Sequence, residues 1–448
     1  MKRVFAALLL LAGCKDFSAA YRDCVDAGRC EGQMSTGGGT ATGGGAATGG
    51  GGAATGGGGA ATGGGGTATG GGGAATGGGG TATGGGGAAT GGGGAATGGG
   101  GPPIDAGVCP AESIVSHANH SCARLADGGY MCWGHNQAGQ LGNDSRDDGG
   151  ASSLAVPFSH NYPFSSVVVG LDFTCAIWAG DVYCFGDLDG GPAVPLGSSV
   201  TGGAVISGAS EVVNSSRASC AVIDGGVQCW GKYNSTGATV PAVPNFGQPV
   251  LQITGGDDHF CAIRQDRSVA CFGYSNQLGQ LGNDGGSAIG VQSVLGLSQV
   301  VQVAAGSNHT CALEDGGAVW CWGDNTYGQS STNGNGKDLY PRRVALDAGV
   351  VSLGLGTDHS CAVDVGGRVW CWGINDHGQT TINNTGMPVS PPQQASFGPG
   401  VVQLAGGSKL TCALYGDGGI DCAGTPSFDE TGSGATGDSI TPARLLCP

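Results

Sequence analysis

From residue 109 to 448, Val, Ile, Leu, Trp and Phe are interrupted by Gly, Asn, Asp and Pro every eight to twelve residues, and no apolar period of 3.6 is sustained. This texture predicts an all-β chain of short strands and turns. Within it one spelling recurs seven times, a cysteine, eight or nine residues that usually contain Asp-Gly or Gly-Gly, and a second cysteine: CARLADGGYMCWG, CAIWAGDVYCFG, CAVIDGGVQCWG, CAIRQDRSVACFG, CALEDGGAVWCWG, CAVDVGGRVWCWG and CALYGDGGIDCAG. The first cysteines stand at 122, 175, 220, 261, 311, 361 and 412, a period of 41 to 53 residues, so each repeat is one supersecondary unit of a solenoid or propeller.

Each copy reads as a hairpin, and the cysteine spacing selects its turn. Cys220 and Cys229 are nine apart, which leaves a two-residue loop centred on Asp224-Gly225, a favoured type I′ pair. Cys175 and Cys184 centre likewise on Ala179-Gly180. The other five pairs are ten apart and require three-residue loops, in which Gly128, Gly317, Gly367 and Gly418 take the position that needs positive φ. Arg267 takes that position in the fourth copy, a local misfit. Cysteines opposed across one antiparallel pair come close enough for a disulfide, so the spacing predicts Cys122–Cys132, Cys175–Cys184, Cys220–Cys229, Cys261–Cys271, Cys311–Cys321, Cys361–Cys371 and Cys412–Cys422. The competing readings are free buried thiols and metal ligation, and cysteines arriving in twos argue against the latter. Each bridge would contribute about 2–3 kcal/mol in the chain-entropy account.

The fifth repeat shows the whole unit, QVVQVAAGSNHTCALEDGGAVWCWGDNTYGQSS followed by YPRRVAL. An apolar strand leads into G-x-x-H-x-C-A, then come the hairpin, a CWG-x-N-x-x-G-Q loop and a strand introduced by proline, about four strands in all. These repeats resemble those of the regulator of chromosome condensation (RCC1) family over Cys109 to Pro448, and the resemblance implies a seven-bladed β-propeller over residues 105–448. The first repeat has little before its hairpin, and SITPARLL at the end resembles YPRRVAL, so Ile440 to Leu446 is expected to complete the first blade and close the ring. Cys109 and Cys447 flank that closure and are expected to bridge it; the alternative is that each pairs with Cys24 or Cys30.

The chain opens MKRVFAALLLLAGCKD. A short basic region, an apolar stretch too short to span a bilayer and the sequence LAGC resemble a bacterial lipoprotein signal at residues 1–13. The resemblance implies lipidation of Cys14 and an exported protein on the bacterial outer membrane or cell surface, in a compartment where disulfides persist. Residues 14–34 form a short segment with Cys24 and Cys30, read as a Cys24–Cys30 bridge. Residues 35–101 contain only Gly, Ala, Thr and one Ser. Such a stretch has little apolar surface to bury, so residues 35–104 are expected to be a disordered linker with an r.m.s. span of about 45 Å.

Candidate chemistry is sparse. Histidine recurs two places before the hairpin cysteine at 120, 259, 309 and 359, but four residues in four blades do not converge on one metal ion, and packing is the expected role. Trp133, Phe185, Trp230, Phe272, Trp322 and Trp372, with Ala423 in the last copy, read as inter-blade core. Asn136, Asn276, Asn325 and Asn375 begin turn-rich loops and are expected to satisfy backbone groups. Asp-rich patches at Asn143 to Asp148 and Gly256 to Asp258 lack the spacing of a Ca²⁺ loop. No catalytic, cofactor-binding or metal motif is recognised, so no enzyme activity and no cofactor are expected.

With 33 acidic against 17 basic residues the net charge is −16, which disfavours nucleic acid. Members of the resembling family act on chromatin and on a small nuclear GTPase; export and acidity together argue against both here. The expected function is a surface-displayed, lipid-anchored, monomeric module that binds a protein or glycan through loops of variable length. A structural envelope component, or an envelope polysaccharide lyase or hydrolase, is the alternative, and the enzyme would require paired carboxylates with displaced pKa values in a pocket.

Overall fold

The computed structural model describes residues 110–143, 151–157, 163–187, 206–232, 243–284, 290–330, 336–346, 349–383, 385–425 and 439–445, with ten three-residue strands between residues 34 and 97. Cys14, Cys24, Cys30, Cys109 and Cys447 lie outside the described residues. The chain divides into two units, Met1–Asp105 and Ala106–Pro448.

In the first unit the ten strands, Met34–Thr36 to Ala95–Thr97, alternate between two five-stranded parallel sheets. Ala46, Ala47 and Thr48 pair in register with Ala60, Ala61 and Thr62. Near-identical Ala/Thr triplets can align rung on rung, with backbone hydrogen bonds joining neighbours that have little apolar surface to bury.

In the second unit the hairpins grow into seven antiparallel sheets. The first blade comprises Ala111–His117, His120–Leu125, Tyr130–His135 and Ala151–Pro157. The second comprises Ser166–Val169, Phe173–Trp178 and Asp181–Gly186, and the third Ala209–Asn214, Ala218–Ile223 and Gly226–Gly231. The fourth has Val250–Gly255, His259–Arg264, Val269–Gly273 and Gln292–Ser293, and the fifth Val300–Ala305, His309–Glu314, Val319–Asn325 and Gly336–Arg343. Val350–Leu355, His359–Asp364, Val369–Gly373 and Val389–Gln394 make the sixth, and Val401–Gly406, Leu410–Tyr415, Ile420–Gly424 and Ser439–Arg444 the seventh. The fold is a seven-bladed β-propeller.

Turn chemistry explains the hairpins. Asp224 and Gly225 both have positive φ, 50° and 77°, as a two-residue type I′ loop requires. Arg267 is forced to φ 62° where other copies carry glycine. Each hairpin holds a disulfide between directly paired residues, from Cys122–Cys132 to Cys412–Cys422, with Cα atoms 4.0–4.1 Å apart.

The core lies between blades. One buried cluster joins Leu313, Val319 and Val344 of blade 5 to Val350, Leu353 and Trp372 of blade 6. Phe260 and Phe272 stack inside blade 4 at 5.3 Å between centroids and share a cluster with Ala218 and Val222 of blade 3. Burying each such ring contributes about 1.5–3 kcal/mol.

The ring does not close by strand exchange. Ser439–Arg444 pairs with Ile420–Gly424 of its own blade, and Ala151–Pro157 supplies the fourth strand of blade 1. The expected completion of blade 1 by Ile440 to Leu446 is therefore corrected: the last strand follows its own hairpin, where Arg444 pairs with Asp421 at 2.7 Å and Leu445 is buried. Closure is instead a seam like the internal ones. Gln403 Nε2 donates to Ile114 O at 2.9 Å while its Oε1 accepts from Ile114 N at 3.1 Å. Gln302 makes the same pair of bonds to Leu353 of the next blade, at 3.0 and 2.8 Å.

Candidate functional site

One end of the ring is built by the G-x-x-H turns, and their geometry begins with the glycine. The His309 ring folds back over Gly306, so closely that a Cβ there would lie 2.3 Å from its Cε1. That leaves Nε2 aimed at the next blade, 2.9 Å from Ser360 Oγ, whose own hydrogen goes to Gln329 O at 2.9 Å. Since the hydroxyl donates to the carbonyl, it accepts from the imidazole, which fixes the tautomer with hydrogen on Nε2. His120 with Thr174 and Gln140, and His259 with Thr310 and Gln280, repeat the relay, and His359 meets Thr411 at 2.7 Å. Burial pushes His309 and His120 down to about 3 and His259 and His359 to about 4. These rings are neutral seam elements in four blades, and among the described residues no group of three or more His, Cys, Asp or Glu gathers to hold a metal.

The asparagines act on their own loops. Asn325 Oδ1 accepts from Ser330 N and Asn375 Oδ1 from Thr380 N, both at 3.2 Å. The glutamine that follows turns its side-chain oxygen to the backbone, as Gln329 does to Tyr327 N at 2.8 Å, and leaves its carbonyl for Trp372 Nε1, also at 2.8 Å. Loop, histidine relay and core tryptophan thus meet at one carbonyl.

The residue before each histidine position, Asn119, Asp172, Arg217, Asp258, Asn308, Asp358 or Lys409, accepts at its carbonyl a hydrogen bond of 2.8–3.1 Å from the end of its hairpin. The backbone of this ring is therefore constant while its side chains vary. One position further in lie Ala118, Leu171, Ser216, Asp257, Ser307, Thr357 and Ser408, tied blade to blade by bonds such as Ser307 N to Thr357 O at 3.2 Å and Ser408 N to Ala118 O at 2.7 Å. Between blades 3 and 4 a side-chain tie is made, Ser216 Oγ donating to Asp257 Oδ1 at 2.5 Å, with His117 of blade 1 4.0 Å from the same carboxylate.

Charge on this end is uneven. Asp257 and Asp258 on blade 4, Asp324 at the hairpin end of blade 5, and Asp358 and Asp376 on blade 6 form an acidic sector. Burial, then the charges of Asp324, Asp257 and Asp376, raise Asp358 to about 6. Burial and Asp257 raise Asp258 to about 6 against the opposing Arg217. The axial channel below holds a cavity of about 160 Å³ lined largely by Val115, Val168, Val169, Val213, Ala305 and Leu355, and neither raised carboxylate lines it. The two are displaced as catalytic carboxylates would be, but they border an open face. Sequence reading singled out Gly256 to Asp258 and passed over Asp324, Asp358 and Asp376, which are unremarkable in a loop and meet only when blades 4, 5 and 6 stand side by side.

The pattern described as Regulator of chromosome condensation (RCC1) repeat matches residues 300–329 and 350–379, and a second pattern of the same description matches residues 316–363. The blades are RCC1-like repeats. Prp20p from Saccharomyces cerevisiae has a similar solved structure, with 19% identity, 75% of this chain and 87% of that chain covered, and a TM-score of 0.62. Human WBSCR16 is similar at 18% identity, 70% and 93% coverage and a TM-score of 0.61. Yeast RCC1 (Prp20) bound to Kap60 gives 18% identity, 74% coverage of each chain and a TM-score of 0.50. At these identities the likeness is one of fold. No curated protein matches the chain.

Two expectations are corrected by these findings. The Prp20p structure is reported with binding properties to Gsp1p, a Ran-type small GTPase, and to histones, so the exclusion of a small-GTPase partner does not stand. A net charge of −16 is a sum over the whole chain and does not decide what one face of a propeller binds. Placement on a bacterial outer membrane or cell surface does not stand either: the similar solved structures named above are of yeast and human proteins. That placement rested on a 14-residue resemblance at the start of the chain and on the cysteine pairs, and the hairpin disulfides are a feature of the blades that does not by itself name a membrane or a surface.

Proposed function

We propose that the propeller is a protein-binding module whose acidic sector, Asp257, Asp258, Asp324, Asp358 and Asp376, receives a basic protein surface and that it has no catalytic role of its own. The gathering of carboxylates from blades 4, 5 and 6 within Coulombic range of one another on one rim supports this reading. Carboxylates crowded against one another and partly removed from water are held above their usual range, and a docking Lys or Arg relieves that cost by favouring their charged forms. The constant backbone beneath them keeps the sector rigid, which limits the entropy lost on binding.

Prp20p's reported partners supply the probes. Gsp1p and a purified histone are titrated into the full chain by calorimetry at pH 7.5, against a double variant, Asp258→Asn with Asp358→Asn. Binding at micromolar Kd or tighter, weakened at least about tenfold in the double variant, supports the proposal; tenfold is about 1.4 kcal/mol. Failure of both probes, or equal binding by the variant, sinks it.

A further inference from the structure

Seven residues before the histidine position, the first strands of blades 4, 5 and 7 carry Gln252, Gln302 and Gln403. Each bridges to one residue of the following blade, accepting from its N–H and donating to its C=O. For Gln252 the bonds run from Val303 N at 3.0 Å and to Val303 O at 3.3 Å. Blades 1, 2 and 6 carry Ser113, Ser166 and Ser352 at this place, and blade 3 carries Glu211. Glu211 occupies the glutamine's position, with Ile253 N of blade 4 donating to its Oε1 at 3.5 Å.

At the three glutamine seams the next blade presents one donor and one acceptor on the same residue, and Ile253 stands in the equivalent place opposite Glu211. Glutamine meets both. A carboxylate can only accept, and its second oxygen would oppose a carbonyl oxygen; a carboxylic acid accepts with one oxygen and donates with the other. We propose that Glu211 is a neutral acid standing in for glutamine at the seam between blades 3 and 4, and that loss of its proton loosens that seam.

Of the strands packed on Ala209–Asn214, Ser166–Val169, Phe173–Trp178, Ala218–Ile223 and Val250–Gly255 carry no ionisable side chain besides bridged cysteines, and Asp181–Gly186 carries Asp181 and Tyr183. On the neighbouring strand His259–Arg264, His259 is bonded to Thr310 and Arg264 Nε to Ser268 Oγ, while Asp224 stands out in the hairpin turn. Burial is the main cause that raises Glu211 to about 7 from 4.5, with the Ile253 N–H opposing. The sign follows. Below pH 4.5 both folded and unfolded chains hold the proton and the seam is intact. As pH rises through about 7 the folded protein loses it, and the stability the neutral form contributed is lost.

The test compares the full, oxidised chain with Glu211→Gln and Glu211→Ser by denaturant unfolding at pH 5 and pH 8. Because other groups titrate equally in all three proteins, the ratio of folding constants isolates this site. From pH 5 to pH 8 the Glu211→Gln to wild-type ratio is expected to rise on the order of 10²-fold, and the Glu211→Ser ratio to rise equally from a lower starting value. A ratio independent of pH in either variant overturns the proposal. Hydrogen exchange gives a local readout: opening at the Ile253 amide of wild type is expected to increase above pH 7 beyond the intrinsic base-catalysed rise, whereas Leu353, bridged by Gln302, should not. Identical behaviour of the two amides would equally overturn it.

Discussion

His309 Nε2 lies 2.9 Å from Ser360 Oγ across the seam between blades 5 and 6, and both residues are wholly buried. Removing the hydroxyl in Ser360→Ala strands an N–H donor away from water. The expected cost is about 1–3 kcal/mol by denaturant unfolding with disulfides intact. Ser360→Thr is expected to be nearly neutral, because Thr310 and Thr411 fill the same role in the seams on either side.

Acid should be more damaging to this ring than its carboxylates alone would predict. The four buried histidines have folded pKa values of about 3 to 4 against 6.5 when unfolded. Above pH 6.5 both states are neutral and nothing is lost; as pH falls, the unfolded chain takes up protons that the folded one refuses. Each histidine then costs on the order of 3 kcal/mol at pH 4. His309→Phe, if it folds, should flatten the stability profile between pH 6.5 and 4, and an unchanged slope would count against this account.

At Arg267, φ is 62° in a turn where the other three-residue loops carry glycine. Arg267→Gly should therefore stabilise, by about 0.5–1 kcal/mol, since relief of left-handed strain outweighs the extra freedom glycine gives the unfolded chain. Thermal unfolding of the single variant checks the direction.

Gln302 satisfies both backbone groups of Leu353. Gln302→Leu keeps most of the volume and leaves a donor and an acceptor unpaired, at a cost of about 2–4 kcal/mol. Gln302→Glu is the sharper case: it should make a seam that was indifferent to pH weaken as pH rises, measured by exchange at the Leu353 amide.

Binding of a basic partner at the acidic sector should weaken as pH falls through about 6, where Asp258 and Asp358 take up protons. A Kd that is flat between pH 7.5 and 5.5 would point to a different face.

Much of this molecule is readable from short stretches because its determinants are local. Whether a hairpin turns on two residues or three follows from the distance between Cys220 and Cys229 or between Cys311 and Cys321, and positive φ at Gly225 and Arg267 follows from that count. Seven such hairpins in RCC1-like units specify seven blades and an all-β class. The seam glutamines were also within reach, since Gln252, Gln302 and Gln403 recur at one offset from the histidine position. A single strand gives no sign that an amide on it faces the backbone of another blade, 51 residues away for Gln252 and Gln302 and 289 for Gln403.

The chain's order alone thus determined the repeat, its turns and the number of its blades, all of which depend on residues within ten or so positions of one another. Tertiary structure decided the rest: that the last strand stays with its own hairpin, that Glu211 must answer for a glutamine, and that five aspartates from three blades form one sector. Each of these is a contact between groups distant in sequence, whose energy exists only once the ring has brought neighbouring blades to hydrogen-bonding or Coulombic range.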